Sequence, residues 1–122
     1  MIDLDHFKDV NDRLGHDAGD QVLIGVARVL EGRVRESDVV GRLGGDEFAV
    51  LMTEGGEPEA QTLARDLADL VRRQGITGGV SASIGVVVFD GRDDRSTADY
   101  LADADRAMYV AKRARPPTPP EG

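Results

Sequence analysis

The sequence predicts an α+β domain, with a central, mainly antiparallel sheet and helices packed over it. Three observations carry that expectation. Hydrophobic periodicity switches between helical spacing and two-residue alternation along the chain, in the order β-α-α-β-β-α-β-α. Gly44-Gly45-Asp46 falls between two β-rich runs, a turn signal that joins them as an antiparallel hairpin. A chain of 122 residues, 40% hydrophobic and 31% charged, is sized for one domain around one core.

Taken in order, Met1 to Asp5 reads as the end of a strand. His6 to Leu14 follows as a short helix, for which Asp5 is a good N-cap. Gly15 to Asp20 reads as a turn. The second helix has Val22, Leu23, Val26, Ala27 and Leu30 on one face. Its end is expected near Arg33 or Arg35, cations suited to the negative end of a helix dipole. Val39, Val40 and Leu43 belong to a strand, and Phe48, Val50 and Met52 alternate in the next. A third helix runs from about Pro58 to Arg73, with Leu63, Leu67, Leu70 and Val71 inward. Val80 to Phe89 reads as one long strand, with Ile84, Val86 and Val88 on one face. A last helix, from about Ala98 to Arg113, turns Leu101, Ala104, Met108 and Ala111 inward. The proline-rich segment 116–122 cannot continue a helix and is expected to be a disordered tail.

Composition narrows the function. Without cysteine, neither a thiolate zinc site nor a disulfide framework is possible, which suits a reducing cytoplasm, the expected location. No apolar run approaches the ~20 residues of a membrane helix, and the acidic first residues do not read as a signal peptide. The net charge of −8 repels nucleic-acid backbones, so neither nucleic acid nor membrane is an expected partner. No Walker-type phosphate loop and no dinucleotide fingerprint occurs, which argues against P-loop and Rossmann enzymes. A nucleoside triphosphate remains compatible, because Mg²⁺ bridges phosphates to protein carboxylates.

The acids are placed for that chemistry. Asp3 and Asp5 are two apart on a strand and point to the same face. Asp46 and Glu47 sit at the hairpin turn, so a first strand paired beside the hairpin brings Asp3 to both. Converging carboxylates repel unless a cation lies between them. Mg²⁺ takes hard oxygen ligands and keeps positions open for phosphate oxygens. Two such ions can clamp the attacking and leaving oxygens of a phosphoryl transfer. Singly, the same residues have plainer readings. Asp5 caps a helix, Asp46 forms a turn, and Asp3 and Glu47 are solvated edge charges. Asn11 is a surface helix residue, Asp20 an N-cap, His16 a turn residue, and Lys8 and Lys112 are solvated.

Together they resemble a known family. Gly44-Gly45-Asp46-Glu47-Phe48 is the GGDEF signature. At about 5% per residue type, five specified residues arise by chance about once in a few million windows. Asp3-Leu4-Asp5-His6-Phe7-Lys8-Asp9-Val10-Asn11-Asp12 resembles the family's D-x-D-x-F-K-x-x-N-D, and Gly15 to Asp20 its G-H-x-x-G-D. Ser83 to Val86 matches an S-I-G-V strand, and Ala104 to Lys112 an A-D-x-A-L-Y-x-A-K helix. The resemblance covers residues 1 to about 113. It implies the nucleotide-cyclase and polymerase-palm type of fold, with a ferredoxin-like core, and a diguanylate cyclase that condenses two GTP into cyclic di-GMP as a homodimer.

Site roles follow from the same resemblance. Asp3, Asp46 and the Leu4 carbonyl would ligate Mg²⁺ (or Mn²⁺), with Glu47 acting at the metal or on the attacking 3′-hydroxyl. Asn11 and Asp20 would read guanine, because a carboxylate accepts both N1–H and the 2-amino group and adenine offers neither. Phe7, Lys8 and Lys112 would join in substrate binding, the lysines on phosphate oxygens, while Gly44 and Gly45 would let the hairpin backbone approach the phosphates. Arg35-Glu36-Ser37-Asp38 matches the R-x-x-D inhibitory site, where product binds through Arg35 and Asp38; Arg65 is a candidate second arginine. Two departures stand out. Family domains begin with a further helix and strand start, so the domain read over 1–115 is expected to lack them. The family's G-R-N after the A-K pair is absent, with Arg115 one position early. The second functional reading is therefore a non-catalytic module that binds GTP or cyclic di-GMP.

Overall fold

The computed structural model describes residues 1–73, 80–89 and 94–114. The tail reading for 116–122, and Arg115, lie outside the described residues. The elements are β1 (Ile2–Asp5), α1 (Phe7–Leu14), α2 (His16–Arg33), β2 (Val39–Gly44), β3 (Glu47–Leu51), α3 (Glu57–Arg73), β4 (Ser81–Ile84) and α4 (Thr97–Ala114). The four strands form one sheet in the order β2-β3-β1-β4, with every neighbouring pair antiparallel. β1 is therefore central, between the hairpin and β4.

Strand alternation gives the sheet two chemically different faces. Ile2 pairs with Phe48 and Ile84, and Leu4 with Ala82. These side chains pack with Val10 of α1, Val22, Val26 and Leu30 of α2, and Leu63, Leu67 and Val71 of α3. Leu4 is 1% exposed, and burying such a side chain contributes about 1.5–3 kcal/mol. The alternate positions are polar: Asp3 pairs with Glu47 and Ser83, and Asp5 with Ser81. α4 reaches this second face, with Tyr100, Ala104 and Met108 buried beneath it. Gly85 makes the close approach possible: a Cβ there would lie 2.2 Å from the Met108 nitrogen and 2.5 Å from the Ala104 oxygen.

Five local expectations are corrected. Asp5 does not cap α1; the N-cap is His6, left-handed at φ 64° and without a side-chain cap bond. Asp5 is instead buried against β4, where serine hydroxyls satisfy it. Residues 16–20 are not a turn but the start of α2, the break being confined to Gly15. β3 ends at Leu51, one residue before Met52. β4 covers only four residues, because it is an edge strand whose partner β1 offers Ile2 to Asp5; Val88 is exposed. Leu101 is 45% exposed, lining an open groove near Leu51 and Phe89, and Tyr100 takes the buried place.

Candidate functional site

The Asp3–Glu47 register brings β1 and the hairpin turn together. The Leu4 N–H donates to the Asp46 carbonyl at 3.1 Å, fixing the turn against the strand through the Leu4 backbone while its side chain fills the core. The turn passes through Gly44 (φ 153°) and Gly45 (φ 43°). Arg42 locks it: its Nε and Nη2 donate to the Gly45 carbonyl at 3.1 and 2.9 Å.

The acids converge as their pattern predicts. Burial first, and then the Asp3 charge, pushes the Asp46 carboxyl above its ordinary value. Burial, then Asp3, Asp105 and Asp46, pushes Glu47 up as well. Lys112 reaches in from α4 and donates to Asp3 Oδ2 at 2.9 Å, with Asp5 Oδ1 4.0 Å away. That hydrogen bond, with the charges of Asp3, Asp5 and Asp46, raises the lysine above its ordinary value. Among the described residues no group of three or more His, Cys, Asp or Glu side chains is arranged to hold a metal by itself.

Asn11 and Phe7 meet Gly19 at a second place, the junction of α1 and α2. Gly19 is buried there, and a Cβ on it would lie 1.9 Å from Asn11 Oδ1 and 3.4 Å from Phe7 Cζ. Asp20, next along α2, is exposed, as is Lys8 on α1. His16 opens α2.

Arg35 and Asp38 sit before β2, at the end of the hairpin away from the Gly44–Gly45 turn. The Arg35 N–H donates to Asp38 Oδ2 at 3.0 Å, and the Thr53 N–H donates to Asp38 Oδ1 at 3.3 Å. They border a cavity of about 310 Å³ whose walls include Arg33, Glu59, Thr62 and Leu63. Arg65 does not line it; its guanidinium donates to Thr62 at 3.4 Å. Arg33 lines it instead and pairs with Asp66 at 2.5 Å.

Sequence reasoning missed Arg42, Arg33, Asp105 and the Asp5–Ser81–Ser83 contact. The last had a signal: an Asp-x-Asp strand faces a Ser-x-Ser strand, which align once the two pair antiparallel.

Comparison with known proteins identifies the framework. The family described as "Diguanylate cyclase, GGDEF domain" matches residues 1–116. Diguanylate cyclase TpbB of Pseudomonas aeruginosa is 45% identical over 119 residues, 93% of this chain and 27% of TpbB. The chain thus spans about a quarter of that relative's length. Among solved structures, diguanylate cyclase SiaD of P. aeruginosa, in complex with its activator SiaC, superposes with a TM-score of 0.84 at 37% identity, covering 93% of this chain and 45% of that one. The GGDEF domain of DgcB from Caulobacter crescentus, in complex with c-di-GMP, gives 0.82 at 29% identity, covering 93% and 70%. No helix among the described residues is long and apolar enough to cross a membrane. With sequence and backbone agreeing from the first strand to the last helix, the chain belongs to the GGDEF domain family of diguanylate cyclases.

Proposed function

We propose that this chain is a catalytic diguanylate cyclase domain, in which two copies face each other and each holds one GTP. The 3′-oxygen of each nucleotide attacks the α-phosphorus of the other. Two 3′-O–P bonds form, two bonds to the β-phosphate oxygens break, each hydroxyl loses its proton, and two pyrophosphates leave with one cyclic di-GMP. Positioning and charge stabilisation dominate such a transfer. The observation that carries the reading is the convergence of Asp3, Asp46 and Glu47 with Lys112 on the polar sheet face.

The donor set fits Mg²⁺ or Mn²⁺. Burial first, and then the neighbouring Asp3 charge, raises the proton affinity of Asp46 and Glu47, and a bound cation would offset that crowding of hard carboxylate oxygens. Mg²⁺ commonly needs only one or two carboxylates, with water and substrate phosphates completing its shell. Asp3, Asp46, Glu47 and the Leu4 carbonyl are the ligands we assign. The ion, when bound, supplies Lewis-acid polarisation and neutralises phosphate charge. Glu47, with its raised affinity for protons, is suited to take the 3′-hydroxyl proton.

Lys112 and Lys8 hold phosphate oxygens, and Gly44 and Gly45 leave room for them at the turn. Asn11 and Asp20 read guanine beside Phe7. Cyclic di-GMP binds back at Arg35 and Asp38 and stops turnover; the c-di-GMP complex of the DgcB domain supports a product-binding surface in this family. Cytoplasmic GTP is the substrate pool. Since the reaction needs two copies, cyclic di-GMP formed per unit of protein should rise with protein concentration before levelling. A specific activity independent of concentration down to the lowest detectable level would contradict the paired mechanism.

A further inference from the structure

Asp5 has no role in the chemistry above, yet it is 3% exposed. A carboxylate so placed is costly to bury unless donors and a counter-charge surround it. Its donors include the hydroxyl of Ser81, 3.1 Å from Oδ2, and that of Ser83, 3.0 Å from each oxygen. Both hydroxyls are neutral. Lys112 Nζ brings a full opposite charge to 4.0 Å from Oδ1.

The two acids that Lys112 meets differ in fate. Asp3 is one of the metal ligands assigned above, so a cation bound there would compete for the oxygen that Lys112 now holds at 2.9 Å. Asp5 is buried and held by the Ser81 and Ser83 hydroxyls of β4. Lys112 itself rides on a flexible four-carbon stem near the end of α4, with its side chain 47% exposed.

We propose that Asp5 is a positioning residue that keeps the Lys112 ammonium at the acid cluster when Asp3 turns to metal, so that the ammonium meets the triphosphate already in place. The inference rests on the assignment of Lys112 to substrate phosphates. Asp5 is the fixed anchor, Asp3 the exchangeable partner, and the nucleotide phosphates take the position on Lys112 that Asp3 vacates. The Ser81 and Ser83 hydroxyls hold the Asp5 carboxylate still.

The test is calorimetric titration, with Mg²⁺, of a GTP analogue carrying a methylene bridge between the α- and β-phosphates, alongside guanosine. Asp5→Asn keeps an oxygen that can accept both serine hydroxyls but removes the charge. It should weaken the analogue about fivefold, the share of one partly exposed ion pair, and leave guanosine unchanged. In a Lys112→Met background, Asp5→Asn should add nothing, the signature of two residues acting through one contact. An equal loss for guanosine, an equal loss in the Lys112→Met background, or no loss overturns the proposal. Lys112→Met weakening the analogue while Asp5→Asn does not refutes the anchor alone; a silent Lys112→Met refutes the phosphate assignment with it.

A second measurement needs no substitution. Lys8 and Lys112 are the only lysines, so ¹⁵N-lysine labelling gives two ammonium signals. That of Lys112 should persist as a slowly exchanging resonance when Mg²⁺ alone is added. Its loss to solvent exchange on Mg²⁺ addition would show that Asp5 does not hold it.

Discussion

Replacing Gly19 by alanine sets the stability of α2 against the shape of the site beside it. Alanine in a helix interior is favoured over glycine by up to about 1 kcal/mol. The added Cβ, however, would stand 1.9 Å from Asn11 Oδ1 and 2.9 Å from its Cγ, where ordinary contact begins at 3.4 Å. The amide oxygen must therefore move by about 1.5 Å, the difference between 3.4 and 1.9 Å. The obstacle is the end of a side chain rather than backbone, so the helix survives and Asn11 swings away. Losing the hydrogen bond to guanine that we assign to Asn11 would cost about 1 kcal/mol, or roughly fivefold in Kd. The expected result is a thermal midpoint equal to or above the parent's, with GTP affinity lowered severalfold by calorimetry. In an Asn11→Ala background the same change should cost no affinity. Unchanged GTP binding in the single variant, or an equal loss in the Asn11→Ala background, would refute the reasoning.

The remaining predictions concern charge. Asp46 and Glu47 are raised above ordinary values of 3.8 and 4.5. A carboxyl raised in the folded state contributes stability that is fully present below its ordinary value and is lost as pH climbs through the raised one. Without divalent metal, Asp46→Asn with Glu47→Gln should lose less stability than the parent as pH rises from those values; superimposable midpoint–pH curves would contradict this. Asp20→Ala should weaken GTP binding far more than ATP binding by calorimetry, and equal losses would show that Asp20 does not read the base. Arg35→Ala should relieve inhibition by added cyclic di-GMP without lowering the initial rate, since Arg35 lies at the other end of the hairpin from the acids. Progress curves as strongly inhibited as the parent's would refute that assignment.

The sheet and the meeting of the acids were legible because both depend on a period of two. Ile2 and Leu4 alternate with Asp3 and Asp5, and the hairpin signal at Gly44-Gly45 fixes the antiparallel sense. Once β1 lies beside β3, Asp3 opposite Glu47 follows. What escaped the sequence depended on partners far away in the chain. An aspartate before a helix reads as a cap, and only the pairing of β1 with β4 shows Ser81 and Ser83 claiming Asp5. Gly15 to Asp20 has turn composition, but Gly19 serves close packing against Asn11 inside a helix. The run from Val80 to Phe89 has strand composition throughout, yet a strand extends only as far as a neighbour pairs with it, and β1 pairs with Ser81 to Ile84. Leu101 has the correct helical phase for burial, but what it faces is a groove, and periodicity does not report whether a groove is filled.

The central claim is that the acids brought together by β1 and the β2–β3 turn act on GTP. The most direct measurement incubates the purified chain with GTP and Mg²⁺ and resolves the nucleotides by chromatography while counting released pyrophosphate. The account predicts cyclic di-GMP with two pyrophosphates for each molecule formed, and none from the Asp46→Asn/Glu47→Gln variant although it still folds. A parent that binds GTP but yields no cyclic di-GMP, or a variant that yields as much as the parent, would contradict it.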